Sequence, residues 1–266
     1  MDPYDFILTL IKDAGKLLLE KSKEVFKIAT KNNDPRDIVT AVDFEVNNFL
    51  INAIKKEFTS HGIYSEESEE KKSTSEFLWV IDPIDGSSNF SRHIPHFAIC
   101  IGLLHKEIPI AGAVYNPITD ELFSFKKRHG AFLNDLPIRV SNINKASDAL
   151  VLFRIGHNES LWEWGVKTEL SFLKSMKKIS NFGSSALDLC FLAAGRIDAV
   201  VYGTFTTKDV AVAIGILREA EGEIYTPTGL PAPLSKKRQT IIATANKKLF
   251  EEIRALSHPE LLIPFL

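Results

Sequence analysis

Asp82 and Asp85 stand in the segment Asp82-Pro83-Ile84-Asp85-Gly86-Ser87-Ser88-Asn89, directly after the apolar run Phe77-Leu78-Trp79-Val80-Ile81. That run is short, uncharged and bulky, so it reads as a buried strand. Pro83 keeps the residue before it out of the helical region. Carboxylates at the exit of a buried strand lie where open α/β sheets place their ligands. The small residues behind them can open a helix, whose free backbone N–H groups favour an anion. Hard oxygen ligands beside such a helix start point to a divalent cation holding a phosphate. The same residues are also ordinary turn chemistry, with Asp82 ending a strand and Asp85-Gly86 making the turn.

Three further acids can join the pair. Glu66 follows the short strand candidate Ile63-Tyr64, much as Asp82 follows its own run. Asp209 stands at a strand–loop–helix junction after Thr206-Thr207-Lys208, and Asp43 opens a helix beside Thr40. Each has a plain alternative: Asp209, Asp43 and Thr40 all suit helix caps, and Glu66 alone is a surface charge. Taken together they offer the oxygen ligands a Mg²⁺ site requires. Paired metals ~3.5–4 Å apart can stabilise both the attacking and the leaving oxygen in phosphoryl transfer.

The elements that would hold these residues follow from periodicity. Phe6, Ile7, Leu10, Ile11, Ala14, Leu17 and Leu18 recur at helical spacing between Pro3 and about Val25. A second helix, from about Ala41 to Phe58, buries Val42, Val46, Phe49, Leu50, Ala53 and Ile54. Glu66 to Glu76 reads as a charged, solvated connection. From Phe97 onward the period changes to two: the runs 97–104, 110–115 and 122–125, with a turn at Asn134-Asp135, predict an antiparallel meander. From about Ala149 strands alternate with helices: strands at 150–155, 180–182, 198–202 and 239–243, and helices at 161–176, 184–194, 209–220 and 247–255. Such alternation implies a layered α/β half. The division expected is an α+β half over 1–140 carrying the acidic motifs and an α/β half over 141–266, sharing a large interface as one unit.

The chain has 266 residues and a net charge of −2, which makes no electrostatic case for nucleic acid as a partner. Cys100 and Cys190 both lie in apolar runs without Cys-x-x-Cys spacing, which fits buried thiols in a reducing compartment rather than a zinc cluster. No apolar run approaches the ~20 residues of a membrane span. No basic region precedes an apolar stretch at the N-terminus, so the expectation is a cytoplasmic protein without a membrane partner.

Trp79-Val80-Ile81-Asp82-Pro83-Ile84-Asp85-Gly86-Ser87-Ser88-Asn89-Phe90 resembles the signature of the inositol monophosphatase family, including archaeal members that also hydrolyse fructose 1,6-bisphosphate. Asp37-Ile38-Val39-Thr40-Ala41-Val42-Asp43 is similar to its N-terminal motif, and Ser65-Glu66-Glu67-Ser68 to its glutamate motif. Gly183-Ser184-Ser185-Ala186-Leu187-Asp188, Ala193-Ala194-Gly195-Arg196-Ile197-Asp198-Ala199 and Asp209-Val210-Ala211 follow in the family's order. The resemblance implies a layered αβαβα sandwich, usually dimeric. It implies two or three Mg²⁺ ions on Glu66, Asp82, Asp85, Asp209 and the Ile84 carbonyl, with Asp37 reaching a third. Gly86 and Ser87 would hold the phosphate through N–H groups, with Ser185 close by in its own motif; Ser87 with Asp43, beside Thr40, would help activate the attacking water.

Two departures concern the substrate. Lys208 replaces a tryptophan common before the last aspartate. A substrate-contacting glutamate of the animal enzymes falls here near Tyr202. Lys208 and Arg196 are therefore candidates for a second phosphate, or else solvated charges. The implied activity is Mg²⁺-dependent hydrolysis of inositol 1-phosphate, with fructose 1,6-bisphosphate as a second substrate. The alternatives are a 3′-phosphoadenosine 5′-phosphate nucleotidase and a non-catalytic binding module.

Overall fold

Asp2 starts the first helix, α1 (Pro3–Lys21), by accepting the Tyr4 N–H at 2.8 Å. Pro3 fills the first turn, where a missing N–H costs nothing. Ile7, Leu10, Ile11, Ala14 and Leu18 form its buried stripe. The helix stops short of Val25, which is fully exposed. The computed structural model describes residues 1–30, 38–71, 75–156, 158–206, 210–235 and 237–265.

An antiparallel pair, β1 (Ile28–Thr30) and β2 (Ile38–Thr40), leads into α2 (Ala41–Glu57). Thr40 and Asp43 form a reciprocal capping box at its start, which satisfies two otherwise orphaned N–H groups. Val42, Val46, Leu50 and Ile54 are buried as expected. Phe49 is instead 37% exposed, because the stripe turns the other way and carries Asp43, Asn47 and Ile51 inward.

The next strands are β3 (Gly62–Ser65), β4 (Ser68–Lys71) and β5 (Phe77–Asp85), the last followed by a five-residue helix, α3 (Ser87–Ser91). Then come β6 (Ala98–His105), β7 (Ile108–Asn116), β8 (Glu121–Lys126), β9 (Gly130–Leu133) and β10 (Leu136–Ile138). They form one sheet in the order β10-β9-β8-β7-β6-β5-β3-β4, antiparallel except for β3 on β5. Asn134 and Asp135 both take positive φ (46° and 66°), the mirror-image turn that matches strand twist. Two expectations are corrected here. Part of the charged connection, Ser68–Lys71, pairs with β3 as a strand. And β5 does not end at Asp82 but resumes pairing at Asp85 after an irregularity.

The second half runs β11 (Leu150–Arg154), α4 (Trp162–Ser175), β12 (Lys178–Ser180), α5 (Ser185–Ala193), β13 (Ala199–Phe205), α6 (Ala211–Glu219), β14 (Glu223–Tyr225), β15 (Gln239–Thr244) and α7 (Lys247–Leu256). Its sheet has the order β12-β11-β13-β15-β14, with β11 parallel to both neighbours. The strand expected at 180–182 lies at Lys178–Ser180, and β14 was not foreseen. It is three residues long, too short to leave a period in the sequence.

Three large cores, with a small fourth one of Val80, Leu104 and Ala211, join these parts. Helices α1 and α2 cover one face of the large sheet through Leu18, Leu50, Trp79 and Ile101. Helices α5 and α6 lie between the sheets, where Leu189 and Val212 meet Phe123 on one side and Val200 on the other. Helices α4 and α7 cover the outer face of the second sheet through Trp164, Phe172 and Phe250. The result is the αβαβα sandwich. The middle layer sits very close to the large sheet: a Cβ on Gly102 or Gly112, cross-strand partners, would fall 2.6 Å or 2.7 Å from Val212 methyls. Among the described residues no helix is long and apolar enough to cross a membrane.

Candidate active site

A strand's side chains alternate faces, so residues three apart, such as Asp82 and Asp85, should point in opposite directions. The structure prevents this. Asp82 pairs with Cys100 and Asp85 with Ala98, three steps on β5 against two on β6. This is a one-residue bulge at Pro83-Ile84, a position that tolerates a proline and shifts the phase of the strand. Both carboxylates therefore reach the same side. Asp82 is held locally, its Oδ1 accepting the Ile84 N–H at 3.0 Å. Glu66 arrives through parallel pairing: Ser65 lies opposite Ile81, and the Glu66 N–H donates to the Ile81 carbonyl at 3.3 Å. Glu66, Asp82, Ile84, Asp85, Gly86, Ser87 and Ser185 all line one cleft of ≈ 270 Å³. Its size suits a small ester, near the lower end of ligand pockets.

Asp85 binds the end of β5 to the start of α5. Its Oδ2 accepts the Ser184 hydroxyl and, at 2.8 Å, the Ala186 N–H, while Oδ1 accepts the Ser185 N–H at 3.2 Å. A carboxylate is favoured at a helix N-terminus. Burial nevertheless dominates and pushes Asp85 up to about 6, against the Ser184 and Ala186 hydrogen bonds and with added repulsion from Asp188 and Glu66. Between the unfolded value near 4 and this folded value, the native state holds a proton that the unfolded chain lacks. Stability from this group is therefore full below pH ~4 and falls as pH rises through about 6, by ~3 kcal/mol. We expect the metal-free wild type to lose thermal stability between pH 4.5 and 7.5 relative to Asp85→Asn, and Mg²⁺ to restore it at pH 7.5. Melting curves for both proteins with and without Mg²⁺ check this; parallel pH profiles would contradict it.

Gly86 follows with φ 94°, and a Cβ there would lie 3.2 Å from the His96 carbonyl and 3.3 Å from Ser184 Cβ. The left-handed conformation and the close approach both require glycine. Helix α3 has only five residues, too few to carry much dipole. Ser87 Oγ lies 3.0 Å from Asp43 Oδ1 and 2.9 Å from the Ile84 carbonyl, and its one hydrogen can go to either. Asp43 Oδ2 in turn accepts the Thr40 N–H at 2.8 Å and the Thr40 hydroxyl at 2.5 Å. Thr40 and Asp43 are both almost fully buried. The capping box thus orients a carboxylate towards Ser87 in the cleft.

Arg196 is not in this cleft. Its Nη2 donates to Glu121 Oε1 at 2.5 Å, and its guanidinium lies 4.9 Å from the Phe191 ring centre. This is a satisfied surface pair, which corrects its assignment to the substrate. Asp37, Lys208 and Asp209 lie outside the described residues. Conversely, the cleft contains Arg154, Thr204 and Arg238, which the sequence reading passed over, and Gly183 and Thr206, which it named only within motifs and gave no role. Arg154 closes the apolar strand Leu150–Phe153 much as Asp82 follows its own run, so the same strand-end argument would have found it. No local pattern marks Arg238.

The donor set decides which cation would fit. Glu66, Asp82, Asp85 and the Ile84 carbonyl are all oxygen donors, which suit a hard divalent cation of the Mg²⁺, Mn²⁺ or Ca²⁺ kind better than copper. Repulsion from Asp188 and Glu66 adds to the burial that raises Asp85, and a cation beside it would offset both. Among the described residues no three acids, histidines or cysteines stand close enough together to hold a metal ion by themselves, and Asp37 and Asp209 are not among those residues.

A sequence profile of the inositol monophosphatase family matches residues 2–261. Inositol monophosphatase 1 of Sus scrofa is 33% identical over 261 residues, covering 94% of this chain and 91% of that protein. Among solved structures, the extragenic suppressor protein SuhB of Bartonella henselae superposes with a TM-score of 0.89 at 29% identity, over 96% of this chain and 97% of its own. The IMPase of Thermotoga maritima does so with a TM-score of 0.88 at 28% identity over 100% of both chains.

Proposed function

Because this chain belongs to the inositol monophosphatase family, we propose that it is a Mg²⁺-dependent phosphomonoesterase acting on inositol 1-phosphate. The observation that carries the reading is the convergence of Glu66, Asp82 and Asp85 in one cleft with Gly86 and Ser87. Glu66, Asp82, Asp85 and the Ile84 carbonyl would hold the cations, with Asp209 and Asp37 as further ligands. When bound, magnesium supplies positive charge that neutralises phosphoryl oxygens, acidifies water and supports the leaving alkoxide.

The chain's own groups do the rest. Gly86 and Ser87 N–H groups orient the phosphate. With the Ile84 carbonyl turned to a cation, the Ser87 hydrogen goes to Asp43, and the Ser87 lone pairs are left to accept from an attacking water. Asp43, held by Thr40, is the base at the far end of that relay. Attack by water is direct: the only thiols, Cys100 and Cys190, are buried, and burial pushes both well above the usual range. Those free thiols also support a reducing, cytoplasmic setting, and a homodimer completes the reading.

Release of phosphate from inositol 1-phosphate, fructose 1,6-bisphosphate and 3′-phosphoadenosine 5′-phosphate, each with Mg²⁺ and with chelator, tests this. We expect Mg²⁺-dependent turnover of inositol 1-phosphate. A sharply higher rate on the nucleotide would replace the substrate assignment, and no release from any ester would favour a non-catalytic module.

A further inference from the structure

Asp188 lies in the first turn of α5, the helix whose start holds Asp85, and it is almost fully buried. It does not line the cleft. The Tyr202 hydroxyl donates to its Oδ2, and His96 Nε2 lies 3.1 Å from its Oδ1. Arg154 lies over the Tyr202 ring, 4.6 Å from its centre, but donates to Ser185 and not to Asp188. Among the described residues the ion-pair contact of Asp188 is with His96 alone.

Hydrogen bonding does not call for a charge at this position. An asparagine would accept the Tyr202 hydroxyl through its amide oxygen. Its amide nitrogen would donate to His96 Nε2 once the ring proton moved to Nδ1. Stability does not call for a charge either, because a buried carboxylate is costly unless it is compensated. Here it also repels Asp85, more strongly than Glu66 does. A divalent cation reverses the sign of that effect. The charge that repels Asp85 attracts the metal, and a path through buried protein screens it less than solvent would. The geometry keeps this charge close without making it a ligand. Asp85 accepts from Ser184 Oγ and from the N–H groups of Ser185 and Ala186. The Asp188 N–H donates to the Ser184 carbonyl at 2.9 Å. Both carboxylates are thus fixed to one helix start, with Asp85 turned to the cleft and Asp188 to Tyr202 and His96.

We propose that Asp188 is an outer carboxylate of the metal centre: it touches no cation itself, and its buried negative charge raises the affinity of the cleft for a divalent cation. The inference rests on the metal reading of the cleft, but not on its phosphatase activity.

Calorimetric titration of the metal-free protein with Mg²⁺ alone separates charge from shape. Asp188→Asn keeps the shape and loses the charge. It should weaken Mg²⁺ binding by roughly 10-fold, the lower end of what removing groups around a metal's ligands costs. Tyr202→Phe removes a hydrogen bond but leaves the charge, and should bind Mg²⁺ as wild type does. Melting curves without metal show that both variants are folded; the rise on adding Mg²⁺ should be smaller for Asp188→Asn and unchanged for Tyr202→Phe. Wild-type Mg²⁺ affinity in Asp188→Asn would overturn the proposal. So would an equal loss in Tyr202→Phe, which would make the network a matter of shape. If wild type binds no Mg²⁺, the metal reading and this proposal fail together. If Mg²⁺ binding weakens as expected but no ester is hydrolysed, the phosphatase reading fails and the role of Asp188 stands.

Discussion

Asp85→Asn should lower kcat/KM for inositol 1-phosphate by roughly 10³-fold or more while the protein still folds. The carboxylate has two roles in the structure, and the substitution treats them differently. As a proposed metal ligand it contributes negative charge, which asparagine lacks. As the anchor of α5 it accepts from Ser184 Oγ, Ser185 N–H and Ala186 N–H. Asparagine keeps one accepting oxygen for these donors, and its amide nitrogen would face the other as a donor. That mismatch costs about 1–3 kcal/mol. Removing a carboxylate whose pKa burial raises to about 6 gives a similar amount back at neutral pH. The melting temperature should thus move little, whereas the Mg²⁺-induced rise should vanish. Near-normal turnover would sink the metal assignment and leave Asp85 as a helix cap.

Asp43→Asn should lower kcat by about 10²–10³-fold with little change in KM. Oδ2 holds both Thr40 donors and Oδ1 faces Ser87. The oxygen of the substituted amide would stay with Thr40, because the backbone N–H there can only donate. The amide nitrogen would then point at Ser87 Oγ and donate to it. Ser87 would turn its hydrogen to the Ile84 carbonyl, 2.9 Å away. A serine that accepts from this amide has one lone pair fewer for water, and its hydrogen has no base to go to. The capping box survives, so the stability loss should stay near ~1 kcal/mol. Separate measurement of kcat, KM and melting temperature decides between the roles. A variant that is less stable but turns over normally would show Asp43 to be a cap alone.

The same distinction between cap and catalyst limited what could be read from the chain. Thr40, Asp43, Glu66 and Asp85 each have a local explanation. A meander followed by a layered α/β half was nonetheless legible, because a period of two gives way to alternating strands and helices near residue 149, while the αβαβα order was what the resemblance carried by the motifs around Asp82 implied. Short elements such as β4 and β14 were not legible, since three or four residues carry too little periodicity to outweigh their charge.

By itself, the amino-acid sequence determined the donors: oxygen ligands after an apolar strand, glycine where a left-handed residue is needed, and threonine and aspartate at the start of α2. Those depend on residue type and on neighbours a few positions away. Only the tertiary structure decided which donors meet. The bulge at Pro83-Ile84 turns Asp82 and Asp85 to one face, and that phase is set by pairing with β6. Arg196 is captured by Glu121, 75 positions earlier, while Arg154 is brought to Ser185 and into the cleft, 31 positions on. Two arginines alike in the sequence part company because contacts of that range depend on how sheets and helices stack, which no local pattern records.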